Sequence, residues 1–263
     1  MLSVTRQGSR ERKVTVSVVS HGHGQMIVPL IEKLLGFPEI GAVIVTHNIS
    51  EEIDLPDDPR LLRRWNRIPK GFGQNHNDAF RLCVDDFFCV LNPDIEFIEN
   101  PFPALVSELV ASGCAMIAPK VVDKTGCIED SARHFPTVTG IVKKVLGVSD
   151  DRHIELAAVN PFHPECVAGM FMLFRYERFG ELNGFDTRYF LYYEDMDICA
   201  RIWKAGASVV LLTHVVVVHD AQRKSHRSFK FLRWHIFSML LFFRLHMWRL
   251  PHVGTVYQSS NSG

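Results

Sequence analysis

An α/β fold that opens like a Rossmann domain is predicted by three features of the sequence. Val14 to Ser20 (VTVSVVS) is a β-branched run that stops at Gly22 and Gly24, which reads as a buried strand followed by a tight loop. Met26 to Leu35 then carries a helical pattern, and Ala42 to Thr46 (AVIVT) is a second buried strand that leaves on His47-Asn48-Ile49-Ser50. Strand, glycine loop, helix and strand in that order begin a parallel sheet that binds nucleotides.

The remaining elements follow along the chain. Asp54 to Pro59 is turn-rich, and Leu61 to Trp65 reads as a third, short strand. Asn75 to Val84 reads as a helix and Asp86 to Leu91 as a buried strand that ends on Asn92-Pro93-Asp94, where the proline marks a turn. Ala115 to Lys120 is strand-like, whereas Gly126 to Asn160 is irregular. Val167 to Arg175 is apolar, Tyr176 to Leu182 helical, Glu194 to Gly206 helical and Ser208 to His219 strand-rich. The expected organisation is one domain over residues 14–228, with a nucleotide half (14–100) and an acceptor half (101–228). Flexible ends at 1–13 and 251–263 and a helical tail at 229–250 complete it.

A chain of 263 residues can bury a substantial core, and a formal net charge of +0 gives no reason to expect nucleic acid. From Ala221 onward there is no Asp or Glu, while Arg223, Lys224, Arg227, Lys230, Arg233, Arg244 and Arg249 are basic. The six cysteines form no C-x-x-C pair and no zinc spacing, and they read as small buried thiols suited to a reducing compartment. Met1 to Lys13 lacks the apolar core of a signal peptide, so the expected location is the cytoplasm.

Three places carry chemistry. Asp94 sits at the carboxyl edge of a buried strand, where open α/β sheets collect ligands, and a carboxylate there suits a hard divalent cation bridging to a diphosphate. Taken alone, Asn-Pro-Asp is also a common turn. Glu194, Asp195 and Asp197 follow the aromatic run Phe190-Leu191-Tyr192-Tyr193. Such a cluster is costly unless it faces water, metal or cations, and at the start of a helix it also meets the positive end of the dipole. His219 ends the strand Val215 to Val218 and becomes a ligand candidate only if the other two places converge on it.

In order, the pieces VSVVSHG, VIVTHNIS, GFGQNHN (Gly71 to Asn77), LNPD, AGMFMLFR (Ala168 to Arg175), NGFDTRYFLYYEDMDICAR (Asn183 to Arg201) and the terminal His219 resemble the inverting glycosyltransferases of family 2. The resemblance runs from Val14 to about His246 and is nearest to the rhamnosyltransferase-like members. It implies a GT-A fold with a mixed, mainly parallel sheet flanked by helices, and a nucleotide-diphosphate sugar as donor. The acceptor would be a hydroxyl of a surface glycan or lipid-linked saccharide. It further implies that Asp195 is the general base, supported by Glu194 and Asp197. Asp94 would bind Mg²⁺ or Mn²⁺ with His219 as a further ligand. Ser20, His21, Asn48, Gly71, Phe72, Gly73, Asn75, Asn92 and Asp94 would face the donor. The chain departs from the family pattern at Ser20-His21-Gly22, often Thr-Tyr-Asn, and at His47-Asn48-Ile49-Ser50, often Asp-Asn-Gly-Ser.

The tail, Phe229 to Leu250, is too interrupted by charge to span a bilayer, since its longest uncharged run is His235 to Phe243. On a helical wheel Lys230, Arg233 and Arg244 share one side, which fits an interfacial helix on an anionic membrane with Trp234, Phe237 and Trp248 as apolar anchors. A helix closing the core is the competing reading. Two other functions share parts of the pattern: a catalytically inactive homologue that binds nucleotide sugar, and a nucleotidyltransferase. The latter would not need the YYEDMD segment and would show a glycine- and lysine-rich phosphate loop that is absent near the first strand.

Overall fold

The computed structural model describes residues 12–137, 140, 161–220, 229–246, 249–251 and 253. Its centre is an eight-stranded sheet in the order β3-β2-β1-β4-β9-β6-β10-β5. Strand β1 (Val14–Ser20) pairs in parallel with β2 (Ile40–His47) and with β4 (Phe87–Leu91), and β2 pairs in parallel with β3 (Leu61–Trp65). Beyond β4 the direction changes. Strand β9 (Phe171–Arg175) runs antiparallel between β4 and β6 (Met116–Val122), β10 (Val209–His219) is parallel to β6, and β5 (Ile95–Phe97) is antiparallel to β10. The sheet is therefore mixed with a parallel donor side, as the α/β reading requires. A two-stranded ribbon, β7 (Ala132–Arg133) with β8 (Cys166–Val167), lies apart from it.

The strands follow from their residues. β1, β4 and β9 are apolar almost throughout because both faces are covered, which makes them readable as continuous runs. One face packs on α1 (Val28–Gly36), entered through a 3-10 turn at Gly24–Ile27, and on α3 (Phe102–Ser112). The other meets α2 (Phe72–Phe80), α4 (Tyr176–Glu181), α5 (Glu194–Lys204) and α6 (Phe229–His246).

Two boundaries differ from the sequence reading. The helix expected at Asn75 to Val84 begins at Phe72 and stops at Phe80. Gly71 and Gly73, which look like a loop, instead let this helix start lie against another segment. A Cβ at Gly71 would come within 2.5 Å of the Phe190 carbonyl oxygen, and one at Gly73 within 2.6 Å of Phe185 Cβ. The irregular stretch from Gly126 contains β7 at Ala132–Arg133, while residues 141–160 lie outside the described part.

The tail forms a helix, one face of which closes on the core. Ser238, Phe242 and His246 are buried against the core, at the four-residue spacing of a single helix face. Leu232, Ile236, Phe237 and Leu240 are exposed, together with Arg233 and Arg244. Trp234 turns inward and stacks on Phe190, so it is not on the outer face with Phe237; Trp248 lies outside the described residues. Among the described residues no helix is long and apolar enough to cross a membrane. Cys83, Cys89, Cys114, Cys166 and Cys199 are buried free thiols, and Cys127 is exposed.

Candidate active site

A cleft of about 740 Å³ opens along the carboxyl ends of the central strands. Asn92, Gly169, Glu194, Asp195, Glu129 and His219 are among its lining residues, so the three chemical segments read from the sequence converge. The antiparallel course of β9 makes this possible, because the residues leading into it (Ala168, Gly169 and Met170) reach the same rim as those leaving β4. Asn92 N–H donates to the Met170 carbonyl at 2.9 Å across that rim.

Asp195 lies in the first turn of α5. Its Oδ2 accepts the Gly169 N–H at 3.2 Å and its Oδ1 accepts the Met196 N–H at 2.8 Å, which aims the carboxylate into the cleft and holds it there. Glu194 beside it is buried, and its Oε2 has no hydrogen-bond partner among the described residues. Burial, and then the charge of Asp195, push its carboxyl well above the ordinary carboxylate range and favour the neutral acid. Asp197 points elsewhere. Arg201 Nε donates to its Oδ2 at 2.7 Å and His246 pairs with its Oδ1 at 2.7 Å, inside the fold rather than along the cleft.

Asp94, which follows the Asn92-Pro93 turn, is not itself among the residues lining the cleft, and reaches it through His219. Its Oδ1 is buried without a hydrogen-bond partner among the described residues, and His219 Nε2 stands 3.2 Å from it at ion-pair distance. His219 Nδ1 meets Glu129 Oε2 at 2.7 Å. Burial lowers the imidazole's affinity for a proton, yet Asp94 and Glu129 outweigh it and hold His219 above its ordinary value. Among the described residues no three His, Cys, Asp or Glu side chains are arranged to hold a metal by themselves. An orphaned carboxylate oxygen beside an imidazole does fit a divalent cation that takes its other ligands from a diphosphate.

The expected donor contacts divide into two kinds. His21 is exposed at the end of β1, and Ser20 is buried beneath it within 3.5 Å of His23 Nδ1. Asn48 has no capacity left to offer. Its amide donates to His21 Nδ1 and the Lys70 carbonyl, each at 3.0 Å, and its oxygen accepts from Asn66 and from the Lys70 N–H, each at 2.8 Å. Asn75 likewise donates to the Lys70 and Gly71 carbonyls and accepts from Asn66. These amides are a brace under the Lys70–Gly71 corner. Gly71 and Gly73 face Phe190 and Phe185, and of that segment Phe72 reaches the cleft.

Several site residues escaped the sequence reading. Glu51 stands beside His47, where the family aspartate is missing. Burial would raise its carboxyl, but hydrogen bonds from Ser20 and from the Gly24 and Gly22 backbone hold it below the usual range. His47 is fully buried, stacked on Trp65 at 5.1 Å, and held neutral by burial and by Arg63. Glu129 and Arg133 come from the irregular segment. A second carboxylate pair after β2, Glu51-Glu52, was the one visible signal; Glu129 and Arg133 had none.

The chain is similar to known glycosyltransferases. A family model described as the N-terminal domain of galactosyltransferase matches residues 152–227. The chain is 29% identical over 239 residues to the rhamnosyltransferase WbbL of Escherichia coli (strain K12), covering 86% of this chain and 90% of that protein. It is 30% identical over 174 residues to the N-acetylglucosaminyl-diphospho-decaprenol L-rhamnosyltransferase of Mycobacterium tuberculosis, 62% of this chain but only 56% of that one. Among solved structures, GalNAc-T7 with UDP, GalNAc and Mn²⁺ superposes with a TM-score of 0.66 at 14% identity, covering 88% of this chain and 48% of that one. The mannosyltransferase PcManGT of Pyrobaculum calidifontis, with GDP-Man and Mn²⁺, gives 0.58 at 16%, covering 86% and 61%. Fold and relatives together define the class: the chain is a nucleotide-sugar glycosyltransferase of the GT-A fold. Within that class, the curated relatives it resembles over most of its length are rhamnosyltransferases.

Proposed function

We propose that the protein transfers a rhamnose-like deoxyhexose from a nucleotide-diphosphate donor to a hydroxyl of a surface glycan or lipid-linked saccharide, with inversion at the anomeric carbon. The observation that carries this reading is that Asp195 and His219 line one cleft, with Asp94 Oδ1 3.2 Å from the His219 imidazole. Asp195 accepts the proton of the acceptor hydroxyl as that oxygen attacks the face of the sugar opposite the diphosphate. Its two backbone hydrogen bonds orient the carboxylate for this without neutralising it. Glu194, whose burial favours the neutral acid, would then add no second negative charge beside the base.

Asp94 with His219 would hold Mg²⁺ or Mn²⁺, which supplies positive charge to offset that developing on the departing diphosphate. Asn92 and Phe72 line the same cleft as Asp195 and His219. The relatives named above, one of which acts on a diphospho-decaprenol saccharide, support a lipid-linked acceptor. The outer face of α6 supports docking on the cytoplasmic face of an anionic membrane, where such an acceptor resides. Leu232, Ile236, Phe237 and Leu240 offer apolar surface, and Arg233 and Arg244 offer charge. Each basic side chain near such a surface contributes about 1 kcal/mol, less as salt screens it.

The test is acceptor-dependent release of nucleoside diphosphate across a panel of nucleotide-diphosphate sugars, with and without Mn²⁺. Release with a deoxyhexose donor supports the reading. Binding of donors without release to any acceptor would identify an inactive homologue.

A further inference from the structure

We propose that helix α6 belongs to the catalytic apparatus, with Ser238 and His246 as positioning residues for Asp195. This rests on Asp195 being the base.

The segment before α5 is conformationally unusual. Tyr192 and Tyr193 have φ of 70° and 67°, a left-handed conformation that bulky residues keep only where their surroundings enforce it. Tyr193 is the N-cap of α5, so its dihedrals set the direction in which Glu194 and Asp195 leave the turn. No side chain caps this helix start. The turn must be fixed from outside.

It is held on two sides. The donor half supplies one, where the Phe72 N–H donates to the Phe190 carbonyl at 3.0 Å. Helix α6 supplies the other. Trp234 stacks on Phe190 with centroids 4.5 Å apart, Ser238 Oγ donates to the Leu191 carbonyl at 2.9 Å, and Phe242 packs on Tyr193 at 5.6 Å. One turn further on, His246 meets Asp197, two residues after the base. Lys204 Nζ donates to His246 Nδ1 at 2.5 Å, which leaves Nε2 to carry the proton and donate to Asp197 Oδ1 at 2.7 Å. The imidazole thus links an ammonium to a carboxylate, and Arg201 holds the second oxygen.

Ser238 is 1% and His246 4% exposed, and neither lines the cleft. A core-facing helix could fill both places with apolar side chains. Directional polar contacts there fix the helix in one register against the turn, which apolar packing leaves looser. The two side chains therefore act on catalysis through the backbone of Leu191 and the carboxylate of Asp197.

The test uses the full chain with Ser238→Ala and His246→Ala, and measures kcat, acceptor KM, donor Kd with its stoichiometry, and Tm. Displacing a catalytic group slightly should lower kcat about tenfold or more in each variant, with donor Kd and stoichiometry unchanged. Ser238→Thr and His246→Gln, which keep a hydrogen-bond donor, should recover most of the loss. Turnover within twofold of the parent overturns the proposal, as does a kcat loss matched by an equal fall in donor-binding stoichiometry. Asp195→Asn in the same assay separates the failures. Near-normal turnover there removes the base assignment itself, whereas an inactive Asp195→Asn beside fully active Ser238→Ala and His246→Ala removes the positioning role alone.

Discussion

Two polar clusters stand at the same edge of the sheet, and they are built on opposite principles. Under the Lys70–Gly71 corner, Asn48, Asn66 and Asn75 trade hydrogen bonds until both Asn48 and Asn75 have spent their amides inside the fold. At the cleft, Glu194 Oε2 is buried without such a partner among the described residues, Asp94 Oδ1 has the His219 imidazole at 3.2 Å in place of a hydrogen-bonded amide, and the turn beside Glu194 is strained. A satisfied polar cluster is scaffold. An unsatisfied one is maintained against its own cost, about 1 to 3 kcal/mol per lone buried group, and that cost needs a ligand or a reaction to explain it. The difference separates residues of similar type and depth that sequence alone puts together.

The largest effect is expected at Asp195, which lines the cleft beside Glu194. Asp195→Asn keeps the shape and removes the proton acceptor, so kcat should fall by about 10²-fold or more while donor binding and Tm stay near those of the parent. Steady-state turnover with calorimetry of donor binding would check both halves, and near-normal turnover would remove Asp195 from the role. Asp94→Ala is expected to abolish the Mn²⁺-dependent part of nucleoside-diphosphate affinity and to leave the fold intact. Unchanged metal-dependent affinity in calorimetry would put the metal elsewhere.

The scaffold cluster should behave in the reverse way. Asn48→Ala strands the Lys70 N–H and should lower stability by about 2 to 3 kcal/mol, visible as a Tm several degrees lower. Turnover measured well below that Tm should stay within a few-fold of the parent. A large kcat loss at unchanged Tm would erase the distinction between the two clusters.

Glu194 gives the smallest effect and the cleanest sign. Its folded-state carboxyl titrates far above the ordinary value, so between about pH 4.5 and that higher value the folded chain binds a proton the unfolded chain has lost. Stability therefore declines as pH rises through this window. Glu194→Gln removes the dependence, and the Tm difference in its favour should grow from pH 5 to pH 8. A difference that is flat with pH would show an ionised Glu194.

Much of the fold was legible because buried parallel strands announce themselves. β1 and β4 fall within a residue of the buried runs read from the sequence. The start of α2 was not, because Gly71 and Gly73 look like loop residues until Phe190 and Phe185 are seen against them, more than a hundred positions away. The same distance hides Glu129 and Arg133, whose place in the cleft depends on the ribbon of β7 and β8. Local pattern could show that Glu194, Asp195 and Asp197 share a helix start. It could not show that Asp197 turns inward to Arg201 and His246, because a partner from α6 decides that.

The reversed strand β9 also governs when the protein becomes whole. During synthesis β1, β2 and β3 can pair as neighbours, but β4 lacks its second partner until the chain reaches the pairing of Leu91 with Phe171. Until then an apolar strand edge stands open, the kind of edge on which nascent chains aggregate. Closing so long a loop is slow. The donor half is thus made first and must wait, and the rim that joins Asn92 to Met170 forms in the same event that seals the sheet.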